Sequence, residues 1–381
     1  MSADVPSTPR APLNWPAIIM FLITTVPVVT VLPWYAAKFG FDTFEWVSFG
    51  VLWALNGMSI TAGYHRLWAH RSYEASKPLQ ILYMLFGAMA LQNSILIWAS
   101  MHRVHHRHVD DIDQDPYSAK RGLWFSHLGW MLRNYPSGEH DLRNAKDLEA
   151  NPIVAFQHKH YVLIAVAMNF AIPLMLGVIN GDIWGSLLLG GFLRLVVSHH
   201  CTFFINSLAH FWGSRPYTTE NTARDNGILA LFTWGEGYHN YHHLFQWDYR
   251  NGVRWWQWDP TKWLISTMTW FGQARALKRV PEFQIRKALV ERQLQLAQEN
   301  LGQCDDHSRL ALLRQSLEAE LQHFKETLSH WTNLQQERVE AAKKALIDHI
   351  EHNETLRRVR ELEESLRQQY LRVRLIAVQA T

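Results

Sequence analysis

Apolar residues are gathered in the first two-thirds of the chain, in runs long enough to form membrane-spanning helices. Residues 17–35, 44–64 and 161–179 each form a run of about 20 residues, the length that an α-helix needs to cross a bilayer. A fourth run, 183–204, contains an arginine, a serine and two histidines near its end. The short stretches AAKFGFDT and NGD join these runs. The pattern predicts four transmembrane helices arranged as two hairpins.

The pattern changes near residue 282, where Gln, Glu, Arg, Leu and Ala begin to dominate. Apolar residues then recur at spacings of three, four or seven, which is typical of a helix: Leu310, Leu313, Leu317, Phe324, Leu328 and Trp331. The stretch GQCDDHS at 302–308 interrupts the pattern with a C-capping glycine and N-capping Asp and Ser. We predict a membrane domain at 1–281 and a C-terminal extension at 282–381 that forms a helical hairpin or coiled coil.

Composition restricts the chemistry that the chain can perform. The 381 residues include 21 histidines but only two cysteines, Cys201 and Cys304. A disulfide framework and a Cys-rich iron–sulfur or zinc site are therefore excluded, and any metal must be bound by histidines and carboxylates. The opening MSADVPSTPRAPLNWP lacks the charged region and cleavage site of a signal peptide, so we expect the first apolar run to remain in the mature protein.

Histidines are concentrated in four short motifs: HRLWAH (65–70), HRVHH (102–106), NSLAH (206–210) and HNYHH (239–243). Residues three and four apart share one face of a helix, so the two H-x-x-H-H motifs can each direct three imidazoles to one point. The candidate ligands of these two motifs are His102, His105, His106, His239, His242 and His243. Asn206 and His210 are four apart and also converge.

His65 and His70 are five apart and would diverge on a regular α-helix. We therefore expect them to lie where the second span emerges from the membrane and its geometry can relax. With them the motifs supply nine histidines and one amide, whereas a structural zinc ion takes four ligands and a mononuclear iron about three. We expect two metal ions, and a redox-capable all-imidazole pair suits iron, which can bind and reduce O2.

A fifth apolar run, 79–98, separates HRLWAH from HRVHH and contains Gln80, Gln92 and Asn93. One crossing of the bilayer here would place the two motifs on opposite sides, whereas a shared metal site needs both on one side. We therefore predict an interfacial or re-entrant helix for this run. The side that carries the motifs also carries most basic residues of the loops, so we expect it, and both termini, to be cytoplasmic.

Five segments of the sequence resemble a known family. The segments that carry the resemblance are GYHRLWAHRSY, HRVHHRHVDDIDQDPYSAKRGLWFSHLGWML, DLEANPIVAFQHKHY, NSLAHFWGSRPY and GEGYHNYHHLFQWDYR. They resemble the membrane fatty acyl desaturases of the stearoyl-CoA type, in matching order and at matching distances, from about residue 14 to 270. The resemblance implies an all-α integral membrane protein, with four transmembrane helices and a cytosolic helical cap that holds a di-iron centre.

The resemblance also implies roles for individual residues. The metal ligands that it implies are His65, His70, His102, His105, His106, His210, His239, His242 and His243, with Asn206 reaching a metal through water. It implies O2-dependent insertion of a cis double bond between carbons nine and ten of a saturated acyl chain. In this family the cap binds the acyl carrier through basic residues, and SAKRG places Lys120 and Arg121 at that position. Phe203 replaces a tryptophan usual in the family.

The substrate and partners are less narrowly defined. Trp98, four residues before His102, is a candidate for the wall of an acyl-chain tunnel, with an interfacial aromatic anchor as the equal alternative. The acyl chain can arrive on CoA, on acyl carrier protein or within a phospholipid. Each turnover needs two electrons, so we expect a separate donor of the ferredoxin, cytochrome or flavoprotein reductase type. Membrane lipids are the other expected partners, and nucleic acid is not.

Two other functions compete with desaturation. A di-iron membrane hydroxylase of lipid or alkane chains uses similar chemistry and a similar histidine set, although alkane hydroxylases have differently spaced motifs that contain Glu. A non-enzymatic membrane scaffold that holds zinc and associates through the C-terminal helices is the second alternative. Nine converging histidines disfavour it, because structural zinc sites close at four ligands.

Overall fold

The computed structural model describes residues 11–302, 307–344 and 349–379. Within those residues the chain is almost entirely helical. The helices before residue 281 are α1 (Trp15–Val29), α2 (Val31–Lys38), α3 (Thr43–Met58), α4 (Lys77–Ala88), α5 (Ile95–Arg107), α6 (Leu123–His127), α7 (Lys146–Glu149), α8 (Pro152–Asn180), α9 (Ile183–Ser186), α10 (Arg194–Asn206), α11 (Leu208–Phe211), α12 (Gly227–Phe232), α13 (His239–Leu244) and α14 (Pro260–Trp270).

Other local structures connect these helices. Two π-helices, Ser59–Ala69 and Leu187–Leu193, follow α3 and α9. Short 3₁₀ helices cover Ala119–Arg121, Gly129–Met131, Pro136–Gly138 and Leu142–Ala145. In the described part of the chain the strands are β1 (Glu74–Ala75) and β2 (Ala274–Arg275), which pair antiparallel with Glu74 opposite Arg275.

Among the residues that the structure describes, three helical stretches are long and apolar enough to cross a membrane, judged by length and composition: Trp15–Lys38, Pro152–Asn180 and Ile183–Phe211. They contain the first, third and fourth predicted spans, and they are characteristic of a membrane protein. The helix that contains the second predicted span, α3 with its π-helical continuation, is not among them, so the fourth crossing stays a prediction.

The connection between α8 and α9 shows how the sequence ends one apolar helix and starts the next. Gly181 ends α8 with a φ of 82°, a left-handed conformation that glycine adopts without a steric cost. The carboxylate of Asp182 then accepts a hydrogen bond from the Gly185 backbone N–H, which caps α9. NGD is therefore a tight turn between two antiparallel apolar helices.

The fifth apolar run, 79–98, is not one helix as predicted, and its interfacial or re-entrant placement stays a prediction. It forms the end of α4 and the start of α5, with a break between them in which Leu91 and Asn93 have φ values of 49° and 76°. Polar groups of α10 stabilise the break. Arg194 Nη1 donates to the Met89 carbonyl, and His199 Nε2 lies 2.7 Å from the Ala90 carbonyl oxygen.

The described chain divides into two compact units. The first comprises residues up to 215 and 220–279, and the second comprises 216–219 and the described residues from 280 onward. In the first unit a hydrophobic core forms where the Ser59–Ala69 π-helix, α4, α5 and α14 meet, with Tyr64, Tyr83 and Ile265 buried in it.

The second unit contains α15 (Glu282–Leu301), α16 (His307–Lys344) and α17 (His349–Gln379). All three contribute to one core, so the extension is not a simple two-helix hairpin, and the coiled-coil alternative stays a prediction. The predicted stripe lies in this core: Leu313, Leu317 and Phe324 are buried, and α17 adds Leu366 and Val373. The stretch GQCDDHS, with Cys304 and its capping Asp residues, falls mainly on 303–306, outside the described residues.

Candidate metal centre

The nine predicted histidines come together in two groups. The first histidine group consists of His65, His70, His102, His106 and His242. The second histidine group consists of His105, His210, His239 and His243. In each group every member offers a ring nitrogen, and these nitrogens all lie within 4.8 Å of one another.

The local conformation of each motif explains this convergence. On α5 and α13 the i, i+3, i+4 spacing directs three imidazoles to one side, although each triplet is shared between the two groups. His105, for example, faces the second group while its neighbour His106 faces the first. His210 comes from the single turn of α11, which Ser207 separates from α10 through non-ideal backbone angles.

His65 and His70 are brought together by the π-helix Ser59–Ala69. The His70 backbone N–H donates to the His65 carbonyl at 3.0 Å, which is the i→i+5 bond of a π-helix. This wider turn aligns residues five apart, and the two imidazole centroids lie 4.6 Å apart. The H-x4-H spacing that diverges on an α-helix therefore converges here.

The nitrogen-to-nitrogen distances suit shared metal ions. Nε2 of His65 lies 3.0 Å from Nε2 of His242, which lies 3.0 Å from Nε2 of His106. In the second histidine group the His243 and His239 Nε2 atoms are 3.1 Å apart. For a metal–imidazole bond of about 2.1 Å, two ligands at right angles have nitrogens about 3.0 Å apart. The donor set therefore fits a metal ion in each group.

Carboxylates fix the orientation of two of these rings. Nδ1 of His65 lies 3.0 Å from a Glu236 oxygen, and Nδ1 of His105 lies 2.9 Å from an Asp115 oxygen. A carboxylate at Nδ1 favours the tautomer that carries its proton there, which leaves the Nε2 lone pair free to bind a metal. Both carboxylates are buried and were not predicted from the sequence.

Two further rings have hydroxyl partners. His102 Nδ1 lies 3.2 Å from the Tyr117 hydroxyl, and His210 Nδ1 lies 2.9 Å from the Thr222 hydroxyl. The Thr222 hydroxyl donates to Asp110, which also accepts the Thr222 backbone N–H. Sequence reasoning missed these residues too, although Asp110, Asp115 and Tyr117 lie within HRVHHRHVDDIDQDPY, the segment that begins with the second motif.

Glu236 is held by a buried ion-pair network. Arg66 donates to Glu236 and to Asp259, and all three side chains are buried. Burial would raise the pKa of Glu236, but His65 and Arg66 beside it outweigh burial and lower that pKa below its ordinary value. Glu236 therefore stays ionised and keeps its role as acceptor toward His65.

Burial also acts on the imidazoles, and the neighbouring imidazoles add to it. Both effects lower the pKa well below its ordinary value for six of them, all outside the candidate spans: His70, His102, His106, His239, His242 and His243. These imidazoles are neutral near pH 7, and only a neutral imidazole can bind a metal.

A cavity of about 600 Å³ reaches the two groups through His65, His102 and His239. Its other walls are largely apolar and come from α1, the loop at 91–93 and α10. Trp98 and Phe203 both line it, and so does Asn206. Trp98 stacks on His102 with ring centroids 4.9 Å apart, so the wall position of Trp98 is next to a candidate ligand.

A polar network at Gln92 forms part of the cavity wall. The Trp98 indole N–H donates to the Gln92 side-chain oxygen, and the Gln92 amide donates to the Thr202 hydroxyl at 3.0 Å. All three residues line the cavity. The network therefore fixes the Trp98 ring relative to α10.

The two basic residues predicted to contact the substrate lie elsewhere. Neither Lys120 nor Arg121 is among the described residues that line the cavity. The Arg121 guanidinium stacks over the rings of Phe125 and Tyr135, at 3.6 Å and 4.5 Å from their centroids. Tyr135 does line the cavity, as does Arg133, so a basic side chain is still present at this wall.

A sequence model of the fatty acid desaturase family matches residues 44–269, which include every predicted ligand. This chain belongs to the fatty acid desaturase family. It is 42% identical over 288 residues to acyl-CoA desaturase 1 of Saccharomyces cerevisiae, an alignment that covers 74% of this chain and 55% of that protein.

Two other relatives show the breadth of this family. The chain is 40% identical over 250 residues to stearoyl-CoA desaturase 5 of Bos taurus, covering 62% of this chain and 74% of the relative. It is 32% identical over 280 residues to sn-1 stearoyl-lipid 9-desaturase of Anabaena variabilis, covering 72% of this chain and 97% of the relative. This desaturase-family chain thus spans about half the length of the Saccharomyces relative.

Proposed function

We propose that this chain is an O2-dependent fatty acyl desaturase that inserts a cis double bond, between carbons nine and ten, into a saturated acyl chain. One observation carries the proposal: a largely apolar cavity ends on two groups of converging histidines. Its volume of about 600 Å³ lies within the roughly 300–1,000 Å³ typical of ligand pockets. Membership of the fatty acid desaturase family supports the same reaction.

We infer that each histidine group holds one iron ion, with Asn206 reaching an ion through water from the cavity wall. When bound, the iron pair and O2 supply the oxidising strength that removal of two hydrogens from unactivated methylenes needs and that no side chain has. Asp115 and Glu236 hold His105 and His65 with their Nε2 lone pairs directed inward.

The protein's own part in the reaction is to orient the acyl chain. Trp98, fixed by Gln92 and Thr202, forms a rigid wall beside His102. Met20 and Phe21 of α1 form part of the apolar lining, which favours an alkyl chain over water. Which pair of carbons lies beside the histidines then decides where the double bond forms.

We propose acyl-CoA as the substrate, because the Saccharomyces and Bos relatives, at 42% and 40% identity, are named for CoA substrates. Arg133 lines the cavity and is a candidate for contact with a CoA phosphate. The acyl-lipid alternative is supported by the Anabaena relative, whose name specifies a lipid substrate.

The electron donor is proposed to be a separate protein. A second cleft of about 430 Å³ reaches His70 and His106 of the first histidine group. Arg71, Arg103 and Arg107 line it, so a donor with an acidic surface would be favoured there. We also propose that the chain self-associates through its C-terminal helices.

The proposed topology has four spans with both termini in the cytoplasm. Three spans are the long apolar stretches and the fourth is α3 with its π-helical continuation. This arrangement leaves all four histidine motifs on the side with the greater number of basic loop residues, which is the cytoplasmic side by the positive-inside rule.

The decisive experiment supplies labelled stearoyl-CoA and stearoyl-phospholipid separately to purified, iron-loaded protein with a reductant and O2. We expect a cis double bond at carbon nine from stearoyl-CoA, located by mass spectrometry of the derivatised product. Product from the phospholipid alone would favour the acyl-lipid alternative. A hydroxylated chain would favour the hydroxylase, and no product from protein that holds two irons would contradict the proposal.

A further inference from the structure

The short helix α12, Gly227–Phe232, has an apolar face that the protein does not cover. Leu229 and Ala230 are buried on one side of the helix. Ile228, Leu231 and Phe232 are exposed on the other side, at the i, i+3, i+4 spacing that forms one continuous face. An exposed contiguous apolar patch of this kind marks an interaction surface.

One end of α12 lies beside a candidate span, and the other lies beside the predicted second span. At its start, the Asn226 side-chain amide donates to the carbonyl of Trp212, the residue that follows the candidate span Ile183–Phe211. Just past its end, Trp234 packs on the predicted second span, with its ring 4.9 Å from that of Trp53. A Cβ at Gly57 would lie only 1.9 Å from the Trp234 indole nitrogen. The start of the helix therefore lies where a candidate span ends, and Trp234 just past its end packs against positions 53 and 57 of the predicted second span.

Further exposed aromatic residues lie near the two ends of α12, where the backbone carbonyls of Trp212 and Trp234 accept hydrogen bonds from Asn226 and Thr261. Phe211 and Trp212 are exposed at the end of the candidate span. Trp258 and Trp263 are exposed and pack edge to face, and between them the Thr261 hydroxyl contacts that of Thr61 at 2.7 Å, near the end of the second span. Tryptophan is enriched at the boundary between lipid and water.

We propose that α12 is an interfacial anchor whose exposed face, Ile228, Leu231 and Phe232, is covered by lipid of the cytosolic leaflet. Lipid is favoured over a protein partner because the helix lies beside a candidate span and the predicted second span, with exposed aromatic residues near both its ends, and a short amphipathic helix is suited to lie in the plane of the interface. The inference rests on the proposed four-span topology and does not depend on catalysis.

The anchor has a role in the metal centre. The chain runs directly from α12 through Glu236 to His239, so the helix links the membrane surface to one carboxylate and to the histidines of HNYHH, the second H-x-x-H-H motif. Seating α12 in the interface would fix the depth of these groups relative to the bilayer in which the acyl chain dissolves.

The test measures the depth of single cysteines in proteoliposomes. In a background with Cys201→Ser and Cys304→Ser, Ile228→Cys carries a fluorophore that is quenched by brominated lipid or by aqueous iodide. We expect several-fold stronger quenching by brominated lipid. Ile112→Cys is the matched control, because Ile112 is 55% exposed and Ile228 is 58% exposed, and Ile112 lies in the Asp-rich loop after HRVHH. It should respond to iodide alone.

A third site separates this inference from the topology on which it rests. Val51→Cys lies in the predicted second span and is exposed. Lipid quenching at Val51 with iodide quenching at Ile228 would overturn the anchor while the topology holds. Iodide quenching at Val51 would overturn both. Leu231→Cys repeats the measurement should the Ile228 variant fail to fold, and the same outcome is expected.

Discussion

The Nδ1 atom of His105 lies 2.9 Å from a carboxylate oxygen of Asp115, and both side chains are buried. Asp115 also accepts the backbone N–H groups of Asp110 and Tyr117, so the carboxylate is fixed by the loop as well as by the ring. This single residue therefore connects the shape of the loop after α5 to the orientation of a candidate ligand in the second histidine group.

Asp115→Asn should weaken metal binding. The variant keeps an oxygen for the backbone donors but loses the charge that holds the Nδ1 proton of His105, and loss of such a partner costs roughly 10- to 100-fold in metal affinity. Iron content should be measured against chelator concentration. Asp113→Asn, at an exposed position of the same loop, is the matched control and should bind iron normally. Equal affinities in the two variants would refute the role of Asp115.

Replacing single ligands should abolish activity without removing the protein from the membrane. We expect this for alanine at His102, His106, His239 or His243, because ligand loss removes the oxidant and leaves the apolar spans intact. Iron per chain and desaturation are the measurements. His323→Ala and His330→Ala, at exposed positions of α16, should be silent. Active protein from its native source with stoichiometric zinc and no iron would overturn the di-iron proposal.

Metal-free protein should lose stability as the pH falls below about 6.5, the ordinary pKa of an unfolded histidine. In the folded protein, burial and neighbouring imidazoles lower the pKa of His70, His102 and His106 well below that value. The unfolded chain then binds protons that the folded chain does not. The contribution of these histidines to the free energy of unfolding is therefore fully present above the histidine pKa of the unfolded chain. It is lost as the pH falls toward the lower pKa of the folded chain.

The measurement for this pH dependence is the melting temperature of chelator-treated protein in detergent between pH 8 and 5. We expect a plateau above about pH 7.5 and a decline below about pH 6.5. The double variant His323→Ala/His330→Ala should show the same decline, since neither side chain belongs to a histidine group. A melting temperature that is constant over this range would contradict the prediction.

The loop after α5 should be cytoplasmic, as should both termini. Asp113→Cys is a better probe than a cysteine at Asp110, because Asp113 is exposed whereas Asp110 is buried and bonded to Thr222. We expect labelling of Asp113→Cys by a membrane-impermeant maleimide only after the cytoplasmic side is opened. Labelling in intact cells would place the histidine motifs outside and exclude the proposed topology.

Truncation after Arg279 should leave desaturation per iron within a few-fold of the full chain. Every candidate ligand lies at or before His243, and the helices after residue 280 form their own core. We also predict a changed oligomer size or a changed interaction with the electron donor, measured by light scattering and donor titration. Normal iron content with no turnover under chemical reduction would show that the extension contributes to catalysis.

Much of the metal centre could be predicted because its information is local. The i, i+3, i+4 spacing places three imidazoles on one side of α5 and three on one side of α13, independently of the tertiary structure. The partners of these rings were missed because they depend on tertiary structure. Glu236 contacts His65 although the two residues are 171 positions apart in the sequence. No periodic pattern of residues along the chain indicates such a pair.

The errors in the fold have a similar cause. The run 79–98 has the composition of one helix, and its break is stabilised by Arg194 and His199, which lie about a hundred residues further along the chain. The third helix of the extension was missed because its apolar residues, such as Leu366 and Val373, are sparse among charged ones. These residues form a hydrophobic core only by packing against α15 and α16.

The π-helix Ser59–Ala69 makes the length of this segment as important as its composition. In an α-helix each residue turns the chain by about 100°, so His65 and His70, five apart, would point about 140° away from each other there. Conversion of this segment to a regular α-helix of the same length would thus dismantle the first histidine group. Among related sequences, we expect insertions and deletions to be tolerated in the loop that follows and to be absent from these eleven positions.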